Sequence, residues 1–447
     1  MSTGVLRPLP VAGPAVRPLP AVLGAAAAAV AAVSAVTIGP AALGLAFAAV
    51  GALLLVREPL ALLMLYIYVG LFKEQAVVSA APFDVTVALG LLLSAVCLAR
   101  WAAGRMRPVP FGLAAPLVVL GLLLVVSLAW TPSPAYGGEK AVRFLTLTCL
   151  ATFAPFFLVE DRRDLRRLFG WTVAIAVAAA ALTVVAPAQS GRLTLGTEGN
   201  TIGVSHLLCT AALILLVGML TDMLPARGWA LASSAALIAV AAAIGSRGPL
   251  LSFGVALALT GAVFLARVPR RAAPVMLAVV AGVALLPLVS LPEGASDRLG
   301  RAASDPVRVL REDPRYTTFG QALDLIEEQP LVGIGAGGFQ SVGRLAVPPE
   351  DYPHNMFLEV WSELGLAALV VLAASVMAVL AGMWRGAWRV SRGPEFQLLY
   401  VLIAVFLFNL LSVQLTGDLI QNRTFWGAFG LAWLVVQHGI PEVARRR

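Results

Sequence analysis

The chain is 447 residues long, 60% hydrophobic and only 13% charged, against roughly 45–50% apolar and 25% charged in a soluble domain. That balance excludes a chain built of soluble domains and reads as a polytopic membrane protein. The net charge of +8 does not point to nucleic acid, because the basic residues form short clusters between apolar runs without interleaved aromatics.

Residues 1–20 contain Arg7, Arg17 and five prolines and precede an alanine-rich apolar run without a convincing cleavage site. They are expected to be a retained cytoplasmic tail. Apolar stretches near the roughly 20 residues of a transmembrane helix then recur to residue 438. The expected spans are 21–38, 40–56, 59–72, 84–99, 111–130, 141–159, 168–187, 201–221, 228–245, 249–266, 274–291, 356–382, 396–414 and 424–438. That makes fourteen, or twelve if two of the first three short ones form a re-entrant or interfacial hairpin. The fold expected is all-α: a polytopic transmembrane helix bundle of 12–14 spans with one long, partly helical extracytoplasmic loop. Its parts are a tail (1–20), a bundle (21–291), the loop (292–355), C-terminal transmembrane helices (356–438) and a second tail (439–447).

Arginine clusters set the orientation, since cytoplasmic loops collect positive charge. Arg100, Arg105 and Arg107, then Arg162 to Arg167, Arg267 to Arg271, Arg385 to Arg392 and Arg445 to Arg447 fall on alternate loops. Those loops and both termini are read as cytoplasmic. The opposite loops include 131–140, 188–200, 246–248, 292–355 and 415–423. The longest holds ten carboxylates and six arginines. Within it, Thr318 is expected to cap a short helix with Phe319, Leu323 and Ile326 on one apolar face, ending at Glu327, Glu328 and Pro330. Gly333, Gly335, Gly337 and Gly338 follow, with neither the Lys-Ser/Thr of a P-loop nor a βαβ context. They read as a tight turn. Cys97, Cys149 and Cys209 lie in apolar segments at no metal or disulfide spacing and read as buried thiols.

His354 is one of three histidines and stands where the polar loop meets a long apolar run. At an outward boundary it is a candidate general base, against the plainer reading of a surface histidine. Pro353 suggests that the helix begins there. At about 100° per residue, Asn355, Glu359 and Glu363 share one face, while Glu359 and Glu363 lie about 140° and 180° from His354. Asp351 or Asp418 is therefore the better orienting partner, with Asn355 and Glu359 as further acceptor-site candidates. Interhelical hydrogen bonding explains Glu359 and Glu363 equally well. His206 reads as packed within a span and His438 as the inner end of the last one.

Arg247 sits in a very short outward connection, Gly245-Ser246-Arg247-Gly248-Pro249. It is either a snorkelling headgroup arginine or an anion clamp, since guanidinium offers paired planar donors to phosphate. Arg315 and Arg192 fall on the same side, so the three arginines are expected to converge there. No metal-ligand cluster is evident.

Taken together, Arg192 to Asn200, Gly245-Ser246-Arg247-Gly248, Arg315 to Gly338, and His354-Asn355-Met356-Phe357-Leu358-Glu359 through Glu363-Leu364-Gly365 resemble the O-antigen ligase and polymerase superfamily of bacterial membrane glycosyltransferases. The resemblance covers residues 190–438. It implies metal-independent, cofactor-free transfer of a saccharide from an undecaprenyl-pyrophosphate-linked donor to a hydroxyl of lipid A–core or of a second lipid-linked glycan, at the outer face of the inner membrane. It also implies that Arg247 and Arg315, with Arg192, meet the donor pyrophosphate and that His354 activates the acceptor. The partners would be those lipids and the bilayer, with no nucleic acid. Ligase and polymerase are not separable from the chain. An alternative of another class is a lipid-linked saccharide flippase or polysaccharide exporter, which needs polar groups near the membrane midplane; here the candidates gather on one face.

Overall fold

The computed structural model describes residues 51, 55–73, 83–185, 201–224, 226–265, 314–343, 351–391, 393–420 and 422–440. Expected spans 21–38 and 274–291, most of 40–56, the first tail and most of the second, the loop up to residue 313, and Arg192 lie outside them. A small unit ends at Glu58, and everything below concerns the unit from Pro59 onward.

Among the described residues the fold is helical throughout, a polytopic bundle. The helices are α1 (Pro59–Tyr68, continued by a 3-10 turn to Phe72), α2 (Val85–Ala102), α3 (Phe111–Val126), α4 (Pro134–Leu158, with a π turn over Phe144–Thr148), α5 (Arg162–Val185), α6 (Thr201–Leu220) and α7 (Arg227–Ile244). Then come α8 (Arg247–Leu265), α9 (Pro314–Glu328), α10 (Phe339–Gly343), α11 (Met356–Arg389), α12 (Pro394–Ser412) and α13 (Arg423–His438). Eight of these, α2 to α7, α11 and α12, are long and apolar enough to cross a membrane.

α6 is the central helix. Its sequence is apolar on every side, and it is buried on every side, packing on α5, α7, α8 and α12, as an all-round hydrophobic helix must. Inside lipid the gain comes from tight side-chain contact rather than from leaving water. α2 and α3 keep much of their apolar surface outward. α13 packs chiefly on α4, and α11 on α3.

Two expectations shift. Residues 134–140, expected to be an outward loop, are helical, so α4 begins seven residues before the expected span; Pro134 sits in its first turn, where a missing N–H costs nothing. In α9, Thr318 is not the cap: the helix starts at Pro314, and the Thr318 hydroxyl donates back to Arg315 O at 3.0 Å. The buried face is Thr318, Ala322, Leu325 and Ile326, whereas Leu323 is 48% exposed. Ala322 and Leu325 pack with Ile334 and Phe339, and α9 lies against α11. The small Ala322 allows that approach, which moves the buried stripe off the expected one. The helix does end at Glu328, just ahead of Gln329 and Pro330.

Candidate active site

The start of α11 is set by Asn355. Its Oδ1 accepts from the Phe357 and Leu358 N–H groups, both at 3.0 Å, filling two of the orphan donors of a helix N-terminus. Its Nδ2 donates to Gln414 O at 3.3 Å, and Met356 N donates to Val413 O at 3.1 Å, fixing the helix start to the turn after α12. α11 therefore begins at Met356, not at Pro353, because Asn355 is extended (φ −140°) and takes the cap position. His354 lies just outside the helix, at φ +57°. That left-handed conformation costs a non-glycine residue about 1–2 kcal/mol. The surrounding pairings hold it, with the ring edge-on to Tyr352 at 4.7 Å between centroids.

One turn into α11, Glu359 and Glu363 point to a single cation. Lys140 of α4, fully buried, places Nζ 2.5 Å from Glu359 Oε1 and 2.6 Å from Glu363 Oε2. The other Glu359 oxygen accepts from Leu419 N at 2.7 Å, and Glu363 Oε2 also accepts from Gly337 N at 2.9 Å. Burying such charges is tolerable only with this degree of pairing. The face shared by Asn355, Glu359 and Glu363 thus binds the neighbouring loops and α4.

The glycine run is a backbone wedge. Gly333, Gly335 and Gly337 have φ of +70°, +95° and +70°, and the segment is inserted where α11 breaks at Gly365 (φ +80°, ψ 179°). Ile334 N and Gly335 N donate to Ser362 O and Glu363 O, both at 2.9 Å, and Leu366 N donates to Pro330 O at 3.0 Å. From the other side, Thr131 Oγ1 donates to Ala336 O at 2.8 Å and Trp130 Nε1 to Gly333 O at 3.1 Å. A β-carbon on Gly365 would sit 2.1 Å from Leu331 O, so only glycine permits this contact. The tight turn expected from the sequence is present, and it joins α9, α11 and the α3–α4 connection.

His354 and Tyr352 line a cavity of about 1100 Å³. Its other polar walls include Lys73, Asp84, Arg143, Arg423, Asn422 and His206. Lys73 pairs with Asp84 at 2.9 Å, and Arg143 pairs with Glu139. The Lys73 ammonium holds the Asp84 carboxyl well down, from 3.8 to about 2. The cavity borders the π turn of α4, where Leu147 O accepts the Tyr66 hydroxyl at 2.8 Å; π turns leave a carbonyl in need of such a partner and recur at functional sites.

Residues 232–373 match the family model described as O-Antigen ligase. That segment is similar to the O-antigen ligase and polymerase superfamily, in agreement with the resemblance seen in the sequence. Comparison with curated proteins finds no match. The O-antigen ligase segment runs from within α7 into α11 and so contains Arg247, Arg315, the glycine wedge, His354 and the Gly365 break. Together with the apolar helices it supports a multi-pass membrane protein with a glycosyltransferase-like function of the general ligase or polymerase type.

Within the O-antigen ligase-like segment, Arg247 opens α8 after the Gly245-Ser246 connection and is half-buried. Its neighbour Gly248 faces Thr416, 3.5 Å from where a β-carbon would be, and Thr416 lines the His354 cavity. Arg247 and His354 thus flank the same 413–418 turn. Arg315 is half-buried in the first turn of α9. Asp351 Oδ1 accepts from Gln340 Nε2 at 3.0 Å, and buried Asp418 accepts from Ile420 N at 3.1 Å. His206 is buried in α6 against Phe408, and His438 closes α13 with Nε2 2.9 Å from Pro108 O. Among the described residues no group of three His, Cys, Asp or Glu side chains is placed to hold a metal.

Sequence reasoning missed Lys140, Arg143, Tyr352 and Arg423. One signal was available: the chain has only two lysines, Lys73 and Lys140, and each is in an ion pair.

Proposed function

We propose that the protein transfers a saccharide from an undecaprenyl-pyrophosphate-linked donor to an acceptor hydroxyl, working at the outer face of the bacterial inner membrane with both termini cytoplasmic. The observation that carries this reading is the placement of His354. It lies at the capped start of α11, lines a large cavity and falls inside the O-antigen ligase segment.

In this reading His354 takes the acceptor hydroxyl proton as the oxygen attacks the anomeric carbon. The new glycosidic C–O bond forms as the bond to the pyrophosphate oxygen breaks, and undecaprenyl pyrophosphate leaves with the electron pair. Arg247 and Arg315, with Arg192, stabilise the charge on that leaving group as it develops, so the step needs no metal. Asp418 or Asp351 orients the ring. The acceptor is lipid A–core for a ligase, or a second lipid-linked glycan for a polymerase.

The test is reconstitution of the full chain with lipid-linked donor and acceptor on the same side of the bilayer. A covalent donor–acceptor product is expected. Absence of product, with saccharide instead crossing the bilayer, would overturn the assignment in favour of a flippase.

A further inference from the structure

The cavity below His354 continues as a trough between α2 and α4. Val87, Leu91 and Leu98 of α2 face Leu145, Phe153 and Phe157 of α4 across it. From Asp84 to Leu98 it follows about 21 Å of helix, some two thirds of the hydrocarbon thickness of a bilayer. The long axis is apolar. At its outer end the lining holds three cations, Lys73, Arg143 and Arg423, and one carboxylate, Asp84.

Arg423 differs from the other two. Lys73 and Arg143 have carboxylate partners, whereas the described contacts of Arg423 are Tyr66 O, which accepts from Nη1 at 2.8 Å, and the Tyr66 ring, 5.2 Å below the guanidinium carbon. Among the described residues no carboxylate lies within 4.0 Å of it. Asp84, already paired with Lys73, attracts it from a distance, and Arg143 repels it more weakly. A half-buried guanidinium beside a second one, at the mouth of an apolar trough, is costly unless an anion completes it.

We propose that Arg423, with Arg143 beside it, is a phosphate-binding subsite for a phosphorylated polyisoprenoid lipid whose tail lies between α2 and α4. Arg247 and Arg315 are not among the residues lining this cavity, so the subsite is distinct from the clamp assigned to them above. It also lies outside the O-antigen ligase segment, which ends at residue 373. A transferase joining two lipid-anchored substrates needs two such headgroup positions, and His354 lines the cavity of this one. The inference deepens the transfer reading, yet it concerns binding and can be tested without turnover.

The test is equilibrium binding of undecaprenyl phosphate to the full chain in phosphatidylcholine nanodiscs, with undecaprenol, inorganic phosphate and phosphatidylglycerol as comparison probes. Undecaprenyl phosphate should bind about tenfold or more tightly to the native chain than to Arg423→Met, as expected for a charge-assisted contact, with Arg423→Lys between them. Leu91→Trp, which fills the trough without touching the arginines, should weaken binding similarly and keeps the test open if Arg423→Met misfolds. Undecaprenol should bind weakly and equally to native and Arg423→Met protein, and inorganic phosphate should not compete. Unchanged affinity in Arg423→Met and Leu91→Trp would overturn the proposal. Displacement by equimolar phosphatidylglycerol would also overturn it, showing a general anionic-lipid contact. Activity surviving in His354→Ala would count against the transfer mechanism and leave this binding result standing.

Discussion

Lys140 and Glu363, 223 positions apart, meet at 2.6 Å, and the same carboxylate oxygen takes the Gly337 N–H. One contact therefore joins α4, α11 and the glycine wedge, one turn below the residues that position His354. Removing the ammonium leaves Glu359 and Glu363 facing each other without a counter-charge. Lys140→Met should destabilise the bundle by about 3–5 kcal/mol, seen as a lowered thermal midpoint in detergent. Adding Glu359→Gln and Glu363→Gln to Lys140→Met should recover much of the loss. No recovery would show that packing, rather than charge, holds this junction.

Gly365→Ala should be more disruptive than its single methyl suggests. The residue would sit at φ +80° with its β-carbon 2.1 Å from Leu331 O, so the wedge would have to withdraw. Gly138→Ala is the matched control, because Gly138 is helical and nothing lies within 4 Å of its β-carbon position. That variant should be neutral or more stable by up to about 1 kcal/mol. The two thermal midpoints should move apart.

Asn355→Ala should cost about 1 kcal/mol through the lost cap and should lower turnover beyond that, because the residue beside it is His354. Asn355→Asp keeps the acceptor oxygen and should retain the stability. Equal turnover in all three proteins would mean that the helix start does not position the imidazole.

Asp84 caps α2, its Oδ1 accepting from Thr86 N at 2.7 Å, and its carboxylate pairs with Lys73. The folded carboxyl titrates at about 2 against an ordinary 3.8, so the charged form is favoured in the fold. Its contribution is complete above the ordinary value and is lost as pH falls towards 2. Both partners are about half exposed, which keeps the effect small. Asp84→Asn preserves a capping oxygen and isolates the charge. Its thermal midpoint should lie slightly below the native one at neutral pH and converge with it only on acidification through that window.

Most of the helices could be read from the run lengths of apolar residues, because lipid admits few other solutions for a backbone. α6 and α12 lie within a residue or two of the expected positions. The start of α4 could not be read that way: Pro134, Gly137, Gly138 and Lys140 look like loop until Glu359 and Glu363, more than two hundred residues later, neutralise the lysine. The Asn355–Glu359–Glu363 face followed from helical spacing alone, but its partner did not. The register of α9 failed for a related reason, since which stripe is buried depends on Phe339 and α11. Arg423 gave no local signal, and only the fold brings it to the His354 cavity.

The most direct test of the account is transfer by purified His354→Ala, assayed with lipid-linked donor and acceptor beside a donor-binding measurement. Loss of the base should lower kcat by about 10²–10⁴-fold while donor affinity and thermal midpoint stay near native. Near-native turnover in that variant would contradict the role assigned to His354.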